Sequence, residues 1–249
     1  MEGISKKSDL LGIPVDAMTM EETLSLIHDT IHKGQRISHV VINAWTMVAM
    51  QTDEDLKKSV SSSDLISADG QSIVWACRFL GNPLPERVPA TEVMENLVVL
   101  AAEKGFKCFL LGAKEEVVQK VAQIYSGKFG EDVIAGFRNG YFREDEEQEI
   151  AKQIAKSGAN ILFLAMPSPR KENFIYNNRE ILSGLNYNLG VGGAFDVVAG
   201  VTRRAPLWMQ RNGLEWFYRF IQEPRRMWKR YFIGNFQYIF LILGAKFRK

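Results

Sequence analysis

The sequence predicts an α/β fold in which helices flank a mostly parallel sheet, followed by a basic, amphipathic helical C-terminal appendage. Along the first 200 residues, short apolar runs alternate with helical patterns, as in right-handed βαβ units. After residue 200 the strand-like runs stop, and basic and aromatic residues accumulate. We therefore predict a Rossmann-like domain over residues 1–200 and an appendage over residues 201–249.

Six apolar runs are predicted as strands, because β-branched and aromatic residues cluster in them between polar or glycine residues. They are HVVIN (39–43), DLISADG (64–70), KCFLLG (107–112), DVIAGF (132–137), NILFLAM (160–166) and YNLGVGG (187–193). Thr19 opens a T-x-x-E capping box for a helix that reaches about Ile31. Another helix starts at Thr91 and is closed by Gly105.

The composition is that of a soluble globular protein, with 46% apolar and 24% charged residues. Cys77 and Cys108 lie in apolar runs, which favours buried free thiols and a reducing compartment. The first twelve residues lack the apolar region of a signal peptide, so we expect no export.

The charge is distributed unevenly along the chain. Residues 201–249 contain eleven Lys and Arg against two Asp and Glu, a net charge of +9. Since the whole chain carries +2, residues 1–200 carry −7. A basic tail on an acidic body indicates an anionic partner for the tail.

Polar and glycine-rich stretches fall at the ends of several predicted strands. In an open parallel sheet, ligands bind outside the carboxyl ends of the strands, so these stretches together predict a binding cleft. They are Asn43, Asp69 with Gly70, Gly112 with Ala113, residues 168–172 and residues 192–196.

Each candidate in this cleft has a structural alternative. Asp69 is placed to act as a general base or to cap the following helix. Arg87 suits a bidentate contact to phosphate, although a lone surface arginine is commoner. Glycine turns let backbone amides approach phosphate, but they also serve tight strand–helix connections, and neither turn is a full nucleotide fingerprint. The turns hold Gly112, Ala113, Gly192 and Gly193, with Asp196 just beyond.

No metal site is predicted. Asp53 and Asp55 form a D-x-D pair in a charged stretch that starts a helix, so we interpret them as a solvated face. His28 and His32 have a metal-ligand spacing, but no third ligand accompanies them.

The C-terminal tail is too short to span a membrane, because its apolar part of fifteen residues, 231–245, is broken by Asn235 and Gln237, and a span needs about twenty. One helical face is apolar and basic residues crowd its start, which suits either an anionic lipid surface or packing on the domain or another subunit. A nucleic-acid arm is the weakest reading, and no nucleic-acid partner is predicted. The apolar residues are Trp228, Phe232, Phe236, Ile239 and Leu243, and the basic ones Arg225, Arg226, Lys229 and Arg230.

Several stretches together resemble the WecG/TagA/CpsF family, glycosyltransferase family 26, over nearly the whole chain. They are LLGIPVDAMTMEETL, SADGQSIVWACRFLG, ERVPATE, FLLGA, SPRKENFI and the long run GVGGAFDVVAGVTRRAPLWMQRNGLEWFYRFIQEPRRMWKRY.

The resemblance implies an inverting, metal-independent transfer of a sugar from a UDP-sugar, with no further cofactor. The implied acceptor is a monosaccharide on a polyprenyl diphosphate. The implied location is peripheral, on the cytoplasmic face of the membrane. It makes Asp69 the base and Arg87 a phosphate ligand. Substrate contacts fall on Asn43, Thr91, Lys171, Glu172, Arg219, Arg225 and Arg226.

Two departures from the family pattern leave the donor sugar open. This chain has Val41 where N-acetylmannosamine transferases of the family have Thr, and Lys171 where they have Gln. N-acetylmannosamine, glucose and a uronic acid all stay candidates, and Lys171 favours the last or a contact to pyrophosphate. A non-catalytic nucleotide-binding module or a membrane scaffold is the alternative function, and an exposed tail also allows a homo-oligomer.

Overall fold

A six-stranded, wholly parallel sheet forms the centre of the molecule. The computed structural model describes residues 5–247, except for the Arg226 side chain. The strand order is β4-β3-β8-β7-β5-β6, and every neighbouring pair is parallel. The strands are β3 (Ile37–Ile42), β4 (Leu65–Ala68), β5 (Cys108–Gly112), β6 (Ile134–Arg138), β7 (Ile161–Ala165) and β8 (Tyr187–Gly190). All six predicted strands are confirmed.

The sheet is covered by helices on both faces, which confirms the predicted Rossmann-like α/β fold. Five of the six strands are buried along their whole length, as strands between two helical layers are. The covering helices are α1 (Met20–His32), α2 (Ala44–Ala49), α3 (Glu54–Ser61), α4 (Gln71–Leu80), α5 (Ala90–Lys104), α6 (Glu115–Phe129), α7 (Glu147–Lys156), α8 (Arg170–Asn177) and α9 (Ala194–Val198). Short 3-10 turns occupy Glu131–Val133, Glu144–Glu146 and Ile181–Gly184.

The predicted helix ends are also found. Thr19 and Glu22 form the capping box that opens α1. Gly105 ends α5 in the left-handed conformation, with a φ of 73°. Both cysteines are free and buried, and burial raises the pKa of Cys108 to about 12.

An N-terminal hairpin was not predicted. Strands β1 (Lys7–Leu10) and β2 (Ile13–Asp16) pair antiparallel through a turn in which Leu11 and Gly12 both have positive φ. The hairpin lies beside β4, where the Asp16 carboxylate accepts a hydrogen bond from the Ile66 amide at 2.8 Å.

The C-terminal helices begin with α10 (Leu207–Arg211), α11 (Glu215–Gln222) and α12 (Pro224–Trp228). A π-helical segment, Lys229–Ile233, leads into α13 (Gly234–Phe247). Within the described residues, no helix is long and apolar enough to cross a membrane.

One face of α13 packs against the domain. The Tyr238 hydroxyl donates to the Ser72 carbonyl at 3.4 Å, and the Lys246 ammonium donates to the Phe79 carbonyl at 3.0 Å. Tyr238 and Ile242 join the core cluster beneath α2 and α4. The packing interpretation of the tail therefore holds for this face of α13.

A buried histidine links three strands of the sheet. His39 on β3 is fully buried. Its Nδ1 lies 2.6 Å from the Tyr187 hydroxyl on β8, and its Nε2 lies 2.9 Å from the Ser67 hydroxyl on β4. Burial lowers the pKa of His39 from 6.5 to about 3, so the ring is neutral in the native protein.

We predict that His39 makes the fold sensitive to acid. Below pH 6.5, the unfolded pKa of His39, the imidazole takes up a proton in the unfolded chain but stays neutral in the native protein. Protonation therefore favours the unfolded chain, and the protein loses stability as the pH falls. The free energy of unfolding should drop by about 1.4 kcal/mol per pH unit on this account. Denaturant titrations should show the stability gap between wild type and His39→Gln narrowing by about 2 kcal/mol from about pH 7 to about pH 5. An unchanged gap would contradict it.

Candidate active site

Asp69 and Asn43 lie side by side where two neighbouring strands end. Ile42 and Ala68 are partners in the sheet register, so the residues that follow them meet at its carboxyl edge. The Asp69 amide donates to the Ile42 carbonyl at 2.9 Å. Asn43 caps α2 by accepting from the Thr46 amide at 3.2 Å.

The Asp69 carboxylate is held by the start of a helix, although not the helix expected from the sequence. Gly70 is the N-cap of α4, and no side chain caps that helix. Instead, Asp69 Oδ1 accepts a hydrogen bond from the Ala90 amide at 3.0 Å, at the first residue of α5. A helix N-terminus stabilises an anion, so this contact orients the carboxylate through Oδ1 and does not involve Oδ2. Thr91 is the next residue of α5 and is half-buried.

Arg87 is not a lone surface arginine. Its side chain is 15% exposed, and Nη1 lies 2.8 Å from Glu215 Oε2 on α11. Nη2 also lies 3.5 Å from Glu92 Oε1 and 3.4 Å from Gln210 Oε1. Arg87 therefore ties the loop before α5 to the C-terminal helices.

Arg204 extends these contacts into an ion-pair network. It pairs with Glu92 through Nη2, lies 3.8 Å from Glu95 Oε2 through Nη1, and lies 3.9 Å from Glu215 Oε1 through Nε. Burial raises the pKa of Glu215, with Arg87 opposing the shift and Asp69 adding to it. The negative charge of Asp69 therefore contributes to the raised pKa of Glu215. Sequence reasoning missed both Arg204 and Glu215.

Arg219 reaches from α11 onto the glycine turn after β8. A Cβ at Gly193 would overlap the Arg219 guanidinium, so only glycine permits this approach. Gly192 has a φ of 56°, and its amide donates to the Leu164 carbonyl at 3.3 Å. Asp196 lies in α9, and its carbonyl accepts from the Val201 amide at 2.8 Å.

Tyr231 is a further side chain near this cluster that the sequence did not single out. Burial raises its pKa, with the charges of Arg230 and Arg219 opposing the shift and that of Asp69 adding to it. The phenol therefore lies within electrostatic range of both the arginine on the glycine turn and the carboxylate at the strand end.

The first glycine turn is closed by the backbone. A Cβ at Gly112 would overlap the backbone of Ala165. The Ala113 amide donates to the Ala165 carbonyl at 2.9 Å, and the Ala113 carbonyl accepts from the Gly140 amide at 2.9 Å. The Ala113 amide is thus engaged within the protein, which favours the tight-turn interpretation over a phosphate contact at this residue.

Lys171 and Glu172 are both buried at the start of α8. The Lys171 ammonium is bonded to Glu172 Oε1. The Lys171 side chain lies against Gly190, the last residue of β8, where a Cβ would come within 2.6 Å of Lys171 Cδ. The pair thus lies at the same carboxyl edge as Asp69.

The remaining residues singled out in the sequence lie on α1, at the start of α3 and on α12. Arg225 is exposed on α12, and the Arg226 side chain lies outside the described part of the structure. Asp53 caps α3 by accepting from the Leu56 amide at 2.9 Å. The His28 and His32 rings stack with their centroids 6.0 Å apart.

The predicted apolar face of the tail is exposed. Trp228, Phe232, Phe236, Ile239 and Leu243 are each between 38% and 62% exposed. Phe240 on α13 and Trp208 on α10 are also exposed, at 70% and 61%.

These features define a class of protein. A parallel α/β sheet carries a carboxylate, an amide and a glycine turn at its carboxyl edge, and α11 brings Arg219 against the glycine turn. This is the arrangement of a Rossmann-like protein with a ligand cleft at the strand ends.

Comparison with known proteins identifies the family. The model of the family described as "Glycosyl transferase WecG/TagA/CpsF family" matches residues 8–249. The chain is also 37% identical over 198 residues to the N-acetylglucosaminyldiphosphoundecaprenol N-acetyl-beta-D-mannosaminyltransferase of Bacillus subtilis (strain 168), which covers 79% of this chain and 76% of that protein. The chain belongs to the WecG/TagA/CpsF family of glycosyltransferases.

We predict that Arg204 holds the C-terminal helices against α5. Arg204→Ala removes its contacts to Glu92, Glu95 and Glu215 together, so α10 and α11 should open more readily. Hydrogen exchange of amides 207–222 should become faster by about fivefold to thirtyfold, the equivalent of about 1–2 kcal/mol. Arg225→Ala is the matched control, because this arginine is exposed. Equal exchange rates in the two variants would show that Arg204 does not hold α10 and α11 against α5.

Proposed function

We propose that this protein transfers a sugar from a UDP-sugar to a monosaccharide carried on a polyprenyl diphosphate, in the synthesis of a cell-surface polysaccharide. The observation that carries the proposal is the position of Asp69, beside Asn43 and within electrostatic range of α11 and the π-helical segment. Family membership supports glycosyl transfer. The name of the Bacillus subtilis relative supports an acceptor linked to a lipid diphosphate.

Asp69 acts as the general base in this proposal. It takes the proton from an acceptor hydroxyl as that oxygen attacks the anomeric carbon of the donor. The new C–O bond forms as the bond from the anomeric carbon to UDP breaks on the opposite face. The products are a disaccharide with inverted anomeric configuration, UDP, and a protonated Asp69. The α5 amide that holds Oδ1 leaves the other oxygen to receive the proton.

Arginines compensate the diphosphate charges in this proposal, and no metal ion takes part. Arg219, which reaches the Gly193 turn from α11, and Arg87, in the loop before α5, are the candidates for the donor and acceptor diphosphates. A guanidinium group can bind two phosphate oxygens at once. Arg87 is held by Glu215 in this structure. An incoming phosphate must therefore compete with that carboxylate or share the arginine with it.

The exposed face of the tail places the enzyme on the membrane in this proposal. Aromatic and aliphatic side chains on α13 lie beside the basic residues of α12 and the π-helical segment, a combination that suits the headgroup boundary of anionic lipids. The enzyme would then be peripheral, on the inner face of the cell membrane, where a lipid-linked acceptor is presented. A second copy of the chain is the competing occupant of the same surface.

Asp69→Asn should abolish most turnover without disturbing the fold. The amide oxygen of Asn can still accept from the Ala90 amide, but it cannot take up a proton. We expect turnover to fall by about 10²- to 10⁴-fold in an assay with a UDP-sugar and a short-chain lipid diphosphate acceptor. The thermal midpoint and UDP affinity serve as controls. Unchanged turnover would remove Asp69 as the base and favour the non-catalytic alternative.

Replacing Phe232, Phe236 and Phe240 with Ser should weaken binding to vesicles that contain anionic lipid. These three side chains are exposed, so the domain core should keep its packing. Burial of one such ring contributes about 1.5–3 kcal/mol. We therefore expect the vesicle partition coefficient, measured by cosedimentation, to fall by at least roughly tenfold. The control is the pair Phe137→Ser and Tyr141→Ser, which changes exposed aromatics of the domain. Unaltered vesicle binding, together with a change from oligomer to monomer in light scattering, would assign the surface to a second copy instead.

A further inference from the structure

The buried pair Lys171–Glu172 bears on the charge of the donor sugar. Glu172 is 2% exposed and Lys171 8% exposed, and the ammonium is bonded to Glu172 Oε1. The Lys171 stem covers Gly190 at the end of β8, which leads directly into the turn where Arg219 stands. The pair therefore borders the region that the proposed function assigns to the donor.

The positive charge of Lys171 is already compensated inside the protein. Breaking a buried ion pair by withdrawing one partner costs several kcal/mol, since it leaves an unpaired charge out of water. Among the described residues, the second oxygen, Glu172 Oε2, is buried without a hydrogen-bond partner, so the pair keeps an unpaired acceptor rather than an unpaired donor. The pair offers no spare cation to an anionic ligand.

The neighbouring arginine is also committed elsewhere. Arg170 donates to the carbonyls of Gly140 at 3.0 Å and of Phe142, and its guanidinium lies over the Phe142 ring at 4.2 Å. A carboxylate brought to Lys171 would therefore face one cation shared between two anions, and would be repelled by Glu172.

We infer that the donor sugar at this position is uncharged, a neutral hexose or an N-acetylhexosamine, and that uronic acids are rejected. This inference rests on the proposed function. It reverses the preference for a uronic acid that Lys171 suggests in isolation, because the sequence shows the cation but not the buried pairing that neutralises it.

The test uses donors that differ only at C6. UDP-glucose is compared with UDP-glucuronic acid, and UDP-N-acetylmannosamine with UDP-N-acetylmannosaminuronic acid, through kcat/KM with a short-chain lipid diphosphate acceptor and through Kd by calorimetry. For wild type, we expect the uncharged member of the productive pair to be preferred at least tenfold.

Two variants shift the charge of the pair in opposite directions. Glu172→Gln leaves the Lys171 ammonium uncompensated, so discrimination against the uronate should shrink at least tenfold in both kcat/KM and Kd. Lys171→Gln leaves Glu172 uncompensated, so discrimination should grow. The double variant Lys171→Gln/Glu172→Gln is again neutral and should return to the wild-type preference, which separates charge from packing. If Glu172→Gln does not fold, the wild type, Lys171→Gln and the double variant still decide.

The outcomes distinguish the two levels of the proposal. The inference would be overturned if wild type showed an equal or higher kcat/KM with the uronate than with its neutral partner. The proposed function would still stand. A preference that is the same in all the variants would equally overturn the role of the pair. Absence of both turnover and binding with every UDP-sugar offered, these four included, would overturn the proposed function itself. If donors bind without turnover, their Kd values still decide whether the uncharged sugar is preferred.

Discussion

The ion-pair network around the start of α5 joins the first of the C-terminal helices to the domain. Arg87 and Arg204 are joined through Glu92 and Glu215, and these side chains are only partly exposed. Exposed ion pairs contribute little to stability singly, whereas networks with restricted geometry contribute more. Here the network fixes the first turn of α11. Arg219 lies one turn further along the same helix, so its place on the Gly193 turn depends on those contacts.

Two constraints act on Asp69 from opposite sides. The end of β4 fixes its backbone through the Ile42 carbonyl, and the first amide of α5 fixes one carboxylate oxygen. Since Pro89 precedes Ala90 and supplies no side-chain cap, the carboxylate also satisfies an otherwise unpaired amide of that helix. The same bond thus satisfies the first amide of α5 and orients the carboxylate, although the helix that Asp69 caps is not α4, the one expected from the sequence.

The sequence was informative where a signal is local and silent where partners come from distant parts of the chain. Five of the six strands were readable because they are buried on both faces and form largely apolar runs. The hairpin of β1 and β2 was missed, because both strands include exposed residues and so form no continuous apolar run. Arg87 could be singled out as a candidate phosphate ligand, but its partner Glu215 lies 128 residues away and could not be predicted. Adjacent residues on a helix do not normally face each other, so only burial reveals that Lys171 is neutralised by Glu172.

The same limit applies to α13, where apolar residues occupy more than one face. The periodic stripe read from the sequence proves to be the outward face, and the inward face is formed by Tyr238 and Ile242. A helix that is apolar on both sides needs two partners, and the domain supplies one of them. Its contacts run along α4, from Ser72 near the start to Phe79 near the end. Because α4 starts directly after Asp69 and Gly70, whatever surface covers the outward face of α13 is connected through packed helices to the carboxylate at the strand end.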